Sequence, residues 1–212
     1  MPRWPSRSHP RTDSTCRTSE AAPTATQLAE VGLPLARAAI AGRLNAPFDE
    51  ADLDPAPTPW LDAPGAAFVT LQTDGRLHGC IGSVTPRRSL RDDIVDNARA
   101  AALRDRRFPR LTAQELGRTR IEVSVLTKPT PLPVTDELEA RGRLRPGVDG
   151  VVLECGGGRG VFLPQVWEQL PEPADFLARL KVKAGLPADY WGSDIRLHRF
   201  TVIEAHEGQV TR

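Results

Sequence analysis

Between Thr26 and Leu44 the apolar residues Leu28, Val31, Leu35, Ala39 and Ile40 recur at helical spacing, with Thr26 placed to cap the helix. Gly32 and Pro34 interrupt its first half, because proline removes a backbone donor and kinks a helix interior. The proline-rich piece Pro55 to Pro64 then reads as an ordered loop. At Phe68 the pattern changes to that of strands. The stretch FVTLQTDGRLHGCIGS, Phe68 to Ser83, carries two β-rich arms around Asp74-Gly75, a dipeptide suited to a tight hairpin turn. Ser89 with Asp92 three residues on starts a second helix, whose buried stripe is Leu90, Ile94, Ala98, Ala101 and Ala102. Pro109 ends that segment, and Thr112 to Leu116 forms a further helical turn.

Arg120 to Thr127 alternates cleanly and is a strand, with Ile121, Val123 and Val125 on one face and Glu122, Ser124 and Leu126 on the other. Pro129, Pro131 and Pro133 make an extended linker that marks the boundary between two lobes. A short helix follows around Asp136 to Arg141, and Val151 to Glu154 pairs with Gly160 to Leu163 across a glycine-rich turn. That turn is no phosphate loop: it lacks the Lys-Ser/Thr pair, and strand residues follow where a helix would have to begin. Pro164 to Leu170 is a short helix anchored by Trp167; Pro173 opens another with Phe176, Leu177 and Leu180 inward, stopped by Gly185 and Pro187. Ile195, Leu197, Phe200 and Val202 alternate with a phase break near His198, the signature of one closing strand with a bulge. Interspersed helices and hairpin-joined strands without a βαβ series give an α+β fold, a mainly antiparallel sheet with packed helices.

Composition narrows the partners. The stretch from Met1 to Ala25 is rich in Pro, Ser, Thr and Arg and cannot bury enough apolar surface to offset its ordering entropy, so the domain is expected over 26–208 behind a disordered tail. A formal charge of +1 gives no global attraction to nucleic acid or to an anionic membrane. No apolar run approaches a membrane span, and no apolar core follows the early arginines as in a secretory signal. Cys16, Cys80 and Cys155 are odd in number and form no C-x-x-C pair, which argues against a disulfide framework and for a reducing cytoplasm.

The candidate chemistry centres on Cys80. Side chains alternate along a strand, so His78 and Cys80 are expected to project from one face about 6.5 Å apart, which makes His78 the candidate base for a Cys80 nucleophile. Gly79 and Gly82 flank the thiol, and glycine in a strand marks a bulge or a close approach to the backbone, which makes both candidate binding positions. Glu122 is the acid that a strong strand offers as an orienting or binding group. His78 and Cys80 supply only two metal ligands, and no other Cys or His has metal-site spacing, so neither a metal nor another cofactor is expected. His198 and His206 are expected to face solvent. The basic run Arg104, Arg106, Arg107 and Arg110 is interrupted by Asp105 and lacks an aromatic stacking platform, which argues against a nucleic-acid partner.

The motifs LHGCIG (77–82), RDRRFP (104–109), VSVLT (123–127) and FLPQVW (162–167), in that order, resemble the AMMECR family (Alport syndrome, midface hypoplasia, intellectual disability and elliptocytosis chromosomal region). Its prokaryotic members are called AmmeMemoRadiSam system protein A, and the likeness runs from Leu28 to Glu204. One departure stands out: His78 replaces the arginine usual in the L-R-G-C-I-G motif. The resemblance implies two unequal α/β lobes forming one compact unit, and singles out Asp105, Arg107, Phe108 and Pro109, with Arg107 as a further binding residue. It also implies Memo-like and radical-SAM partners. The C-x-x-x-C-x-x-C cluster of a radical-SAM enzyme is absent, so this chain is not that component. Two readings follow: a substrate-binding or accessory component, and an enzyme that uses Cys80 in a cleft. Nucleic-acid binding is the third and weakest, and residue types alone leave the substrate and oligomeric state open.

Overall fold

The structure is a computed structural model, and it describes residues 22–208. The tail expected over 1–25 lies outside the described residues as far as position 21. The first helix, α1 (25–44), is capped by Thr24 and not Thr26: the Thr24 hydroxyl accepts from Gln27 N at 3.2 Å, and the Gln27 side chain accepts from Thr24 N at 2.9 Å. This capping box needs a long side chain ending in an acceptor oxygen at the third helical position, which Gln27 supplies. Over Leu28–Gly32 the helix widens to π pitch, with Leu33 N bonded to Leu28 O. The wider turn absorbs Pro34 without breaking the helix.

The larger lobe is a four-stranded antiparallel sheet built from β1 (Ala67–Thr73), β2 (Arg76–Gly82), β3 (Thr119–Leu126) and β7 (Val202–His206), in the spatial order β7-β3-β1-β2. Asp74 and Gly75 both take positive φ, 51° and 77°, as a two-residue hairpin of the mirror-image type requires. Helix α1 and α2 (Leu90–Leu103) cover one face, where Val69, Leu71, Ile121 and Val123 meet Leu35, Ile40, Ile94 and Ala98 in a fully buried core. Ser89 caps α2 as its spacing predicts, accepting from Asp92 N at 3.1 Å. Asp93, 2% exposed, accepts from Ala67 N, Ser83 Oγ, Asn97 Nδ2 and Arg88 Nε. This buried carboxylate fastens both ends of the hairpin to the helix, and only its full set of donors offsets its desolvation.

The smaller lobe has β4 (Gly150–Cys155), β5 (Gly158–Phe162) and β6 (Arg196–Phe200), with a two-residue edge at Thr130–Pro131. Helices α3 (Glu137–Arg143) and α4 (Pro173–Lys183) pack on it, and Trp167 stacks on Phe176 at 3.7 Å between ring centroids. The expected single closing strand is instead two, β6 in the smaller sheet and β7 in the larger. They part at Thr201, not at His198: Thr127 N bonds Thr201 O and Thr201 N bonds Thr127 Oγ1, both at 2.9 Å, where the two chain crossings between lobes meet. The α+β reading holds, with two four-stranded antiparallel sheets in place of one, besides a two-residue ladder that pairs Pro64–Gly65 with Arg88–Ser89. No helix among the described residues is long and apolar enough to cross a membrane.

Candidate functional site

The Cys80 hairpin contains the bulge that its glycines foreshadow, and the bulge changes the site. Thr70 pairs with Cys80 and Leu71 with Gly79, but Gln72 pairs with Leu77, so His78 is the inserted residue. One extra residue resets the alternation of side chains. Gly79 and Ile81 therefore face the helices, while Cys80 turns to the other face with Thr70, whose Oγ1 lies 3.4 Å from Sγ. His78 is 9% exposed and lies on the helix side, its ring stacked with Phe108 at 6.5 Å between centroids. Its Nε2 is buried without a partner. The expected His78–Cys80 pair on one face is thus corrected: the bulge puts the sheet between them, and in this structure His78 is not placed to act as base.

What holds Cys80 is its backbone. Strand β2 is the sheet edge, and edge N–H and C=O groups need partners from elsewhere. Cys80 N donates to Asp105 Oδ2 at 3.0 Å, and Arg107 Nη2 donates to Cys80 O at 2.9 Å. The two side chains close a ring, with Arg107 Nε on Asp105 Oδ1 at 2.9 Å and Nη2 on Oδ2 at 2.7 Å. Asp105 is almost wholly buried, and the Arg107 guanidinium holds its carboxyl far below the usual carboxylate range, helped by the Cys80 and Arg107 amides. The carboxylate raises Arg107 in turn. Arg107 is thus a positioning residue for the Cys80 main chain, more than half exposed on its outer side.

The glycines have a different explanation from the expected one. A Cβ on Gly79 would stand 2.2 Å from the Ala101 carbonyl oxygen of α2, and one on Gly82 would enter the Phe68 ring at 2.2 Å. Both leave room for the protein's own atoms. Glu122, by contrast, does join Cys80. Strand register places His206, Glu122, Thr70 and Cys80 in one row across all four strands of the larger sheet, on the face without helices. The next row is Glu204, Ser124, Phe68 and Gly82. With strands about 4.8 Å apart, Cys80 and Glu122 are separated by about 10 Å and Cys80 and His206 by about 14 Å. A recess of about 240 Å³ lies along the row, lined by Thr70, Gln72, Arg120, Ile121, Glu122 and His206.

The smaller lobe closes one end of this face, where Leu126 and Val202 pack on Val152, Val161 and Phe200. Gln165 reaches Glu204 at 3.5 Å, and Arg159 donates to Thr85 Oγ1 at 3.1 Å. Burial pushes the Glu204 carboxyl up, and the neighbouring Glu122 adds to the shift. The face therefore carries a thiol, two carboxylates, an imidazole and two hydroxyls in adjacent rows; the recess itself is lined by Thr70, Glu122 and His206 of these, and Cys80 lies beside it on the edge strand. His206 and Glu204 were not legible as site members, because they lie over 80 positions from Glu122 and meet it only through the crossing at Thr201.

The remaining candidates fall outside the cleft. Arg104, Arg106 and Arg110 are exposed beside the Asp105–Arg107 ring. The 156–159 turn is a hairpin with Gly156 and Gly157 at positive φ, as read. The Cys155 thiol donates to Asp194 Oδ2 at 3.0 Å, Tyr190 OH donates to the other oxygen at 2.9 Å, and the Asp194 carboxylate pushes the thiol up. Among the described residues no group of three or more His, Cys, Asp or Glu is placed to hold a metal ion.

Comparison with known proteins agrees with this architecture. The AMMECR1 family model matches residues 33–205. A protein of Methanothermobacter thermautotrophicus is 42% identical over 142 residues, covering 66% of this chain and 74% of the relative. Protein SSO0193 of Saccharolobus solfataricus is 39% identical over 160 residues, covering 72% of this chain and 70% of the relative. The crystal structure of the uncharacterised protein PH0010 from Pyrococcus horikoshii superposes with a TM-score of 0.68 at 32% identity, over 85% of this chain and 92% of that one. With the motifs, the two-lobed fold and these likenesses in agreement, the chain belongs to the AMMECR1 family.

Proposed function

We propose that this chain is a substrate-binding, accessory component that works with Memo-like and radical-SAM proteins, and that the Cys80 cleft is where the modified molecule is held. The observation that carries this reading is the row His206–Glu122–Thr70–Cys80 on the open sheet face. It is long, polar and bounded by both lobes, and its Cys80 end is fixed through the main chain. Such a row binds by several points at once.

The reading of Cys80 as a cleft nucleophile is the runner-up. Thr70 Oγ1 beside Sγ and the rigid Asp105–Arg107 ring favour it. A cysteine nucleophile also needs a base within hydrogen-bond reach, about 2.6–3.2 Å. The imidazole on this face, His206, is three strands away, and His78 lies behind the sheet. Binding therefore leads over covalent catalysis. Nucleic-acid binding is weaker still, since the exposed arginines lie beside the Asp105–Arg107 ring and the net charge is close to neutral.

The test uses the full chain and a purified Memo-like protein, with association measured by calorimetry. Glu122→Arg should weaken association at least tenfold while leaving the melting temperature unchanged within a degree or two. Absence of association, or association indifferent to Glu122→Arg, would remove the partner reading. Rapid turnover of a thioester or similar electrophile by the isolated chain, lost in Cys80→Ala, would favour the enzyme instead.

A further inference from the structure

A second cavity, about 570 Å³, opens at the junction of the lobes. None of the Cys80-row residues lines it. Trp60 and Leu90 wall it from the larger lobe, Val152 and Phe200 from the smaller, and Val125 to Pro129 from the crossing between them. Its size falls within the range of about 300–1,000 Å³ typical of small-molecule sites, which favour domain junctions and predominantly apolar linings. Several prolines line it, among them Pro64, Pro86 and Pro129, so its rim is conformationally restricted before any ligand arrives.

The polar groups around the cavity select the ligand. The Ala63 carbonyl already accepts from Leu90 N at 2.8 Å, and the Ala66 carbonyl from Leu126 N at 3.0 Å, so these wall acceptors are engaged within the fold. Lys128 is the one charged side chain among the lining residues. It is exposed and forms no ion pair among the described residues. An apolar chamber with a single cation matches a molecule that has an apolar body and one anionic end.

We infer that this cavity binds an amphipathic carboxylate of medium-chain fatty-acid type, its hydrocarbon body against Trp60, Leu90, Val152 and Phe200 and its carboxylate on Lys128. The body spans walls from both lobes, so an occupied cavity ties one lobe to the other. This site stands independently of the Cys80 cleft.

The experiment is calorimetric titration of the full chain with dodecanoate and with dodecyltrimethylammonium, both below their micellar concentrations. Dodecanoate should bind saturably at one site per chain, and the cationic amphiphile at least tenfold more weakly. Lys128→Gln, a change at an exposed position that leaves the fold intact, should weaken dodecanoate at least fivefold. Ala63→Trp should block it by filling the chamber, with circular dichroism checking that the variant folds. Absence of saturable dodecanoate binding would overturn the inference, as would equal affinity for both head groups or a Lys128→Gln chain that binds like the parent.

Discussion

The two hairpins of this chain are built alike and carry their cysteines to opposite ends. In each, a glycine near the cysteine admits a carbonyl from a helix or its C-cap: Ala101 O against Gly79, the chain neighbour of Cys80, and Ala184 O against Gly158, the cross-strand partner of Cys155. In each, the cysteine lies in a strand of the pair. The sulfurs then diverge. Cys155 is 6% exposed, and its thiol is a donor spent on Asp194, a carboxylate shared with Tyr190. Cys80 is half-buried on an open polar face, where Thr70 Oγ1 stands beside Sγ and the rest of the row is free for a ligand. Glycine next to cysteine is therefore a packing feature in both places. The two sulfurs differ in the face they take, and at Cys80 the bulge at His78 decides that.

The largest expected effect is at the ring that fixes the Cys80 main chain. Asp105→Asn removes charge-assisted bonds from Cys80 N and Arg107 and should cost about 2–3 kcal/mol in denaturant unfolding. The Asp105 carboxyl is depressed in the folded state, so its stabilisation is present above the unfolded value of about 3.8 and is lost as pH falls below it. The gap between parent and Asp105→Asn should accordingly be constant near neutrality and shrink below about pH 4. A gap that stayed constant into acid would mean that the ring contributes through shape alone.

Next comes Gly79→Ala, where the new methyl meets a backbone carbonyl that cannot rotate away. A loss of about 1–3 kcal/mol is expected, as for other overpacking changes, with a similar loss for Gly158→Ala. Gly82→Ala should cost less than either, because the Phe68 ring it meets is a side chain on a half-exposed face. If Gly79→Ala were neutral in stability and instead impaired binding, the glycine would belong to the ligand site.

The smallest effect separates the sulfurs directly. Asp194→Ala should lower the Cys155 thiol towards its ordinary value, since Asp194 is the main cause of its rise. The shift should appear in a thiol titration by ultraviolet absorbance, with little change in stability, as expected for an exposed carboxylate. An unchanged titration would mean that burial alone raises the thiol.

Much of this architecture is legible in the sequence, because local rules act over short spans. The Asp74-Gly75 turn, the Ser89 cap and the apolar stripe of α2 all follow from spacing. The site is less legible, for two physical reasons. Strand alternation assumes a constant phase, and the inserted His78 breaks it, moving His78 to the helix side of the sheet. The cleft is also assembled by strand order: Glu204 and His206 reach Glu122 only because the chain leaves the smaller sheet at Thr201 and re-enters the larger one. The Asp194–Cys155 contact has no local signature at all, with 39 positions between its partners.

Cys80 is half-buried on the sheet face without helices while Cys155 is closed off, and alkylation rates compare the two most directly. Two single-cysteine forms of the full chain would be used, both lacking Cys16, one keeping Cys80 and the other Cys155. Iodoacetamide labelling of the folded proteins is followed by mass spectrometry across pH 6–9. Cys80 should label at least tenfold faster than Cys155 at neutral pH, with a rate that rises with pH. Slow, pH-independent labelling of Cys80, no faster than that of Cys155, would contradict the account.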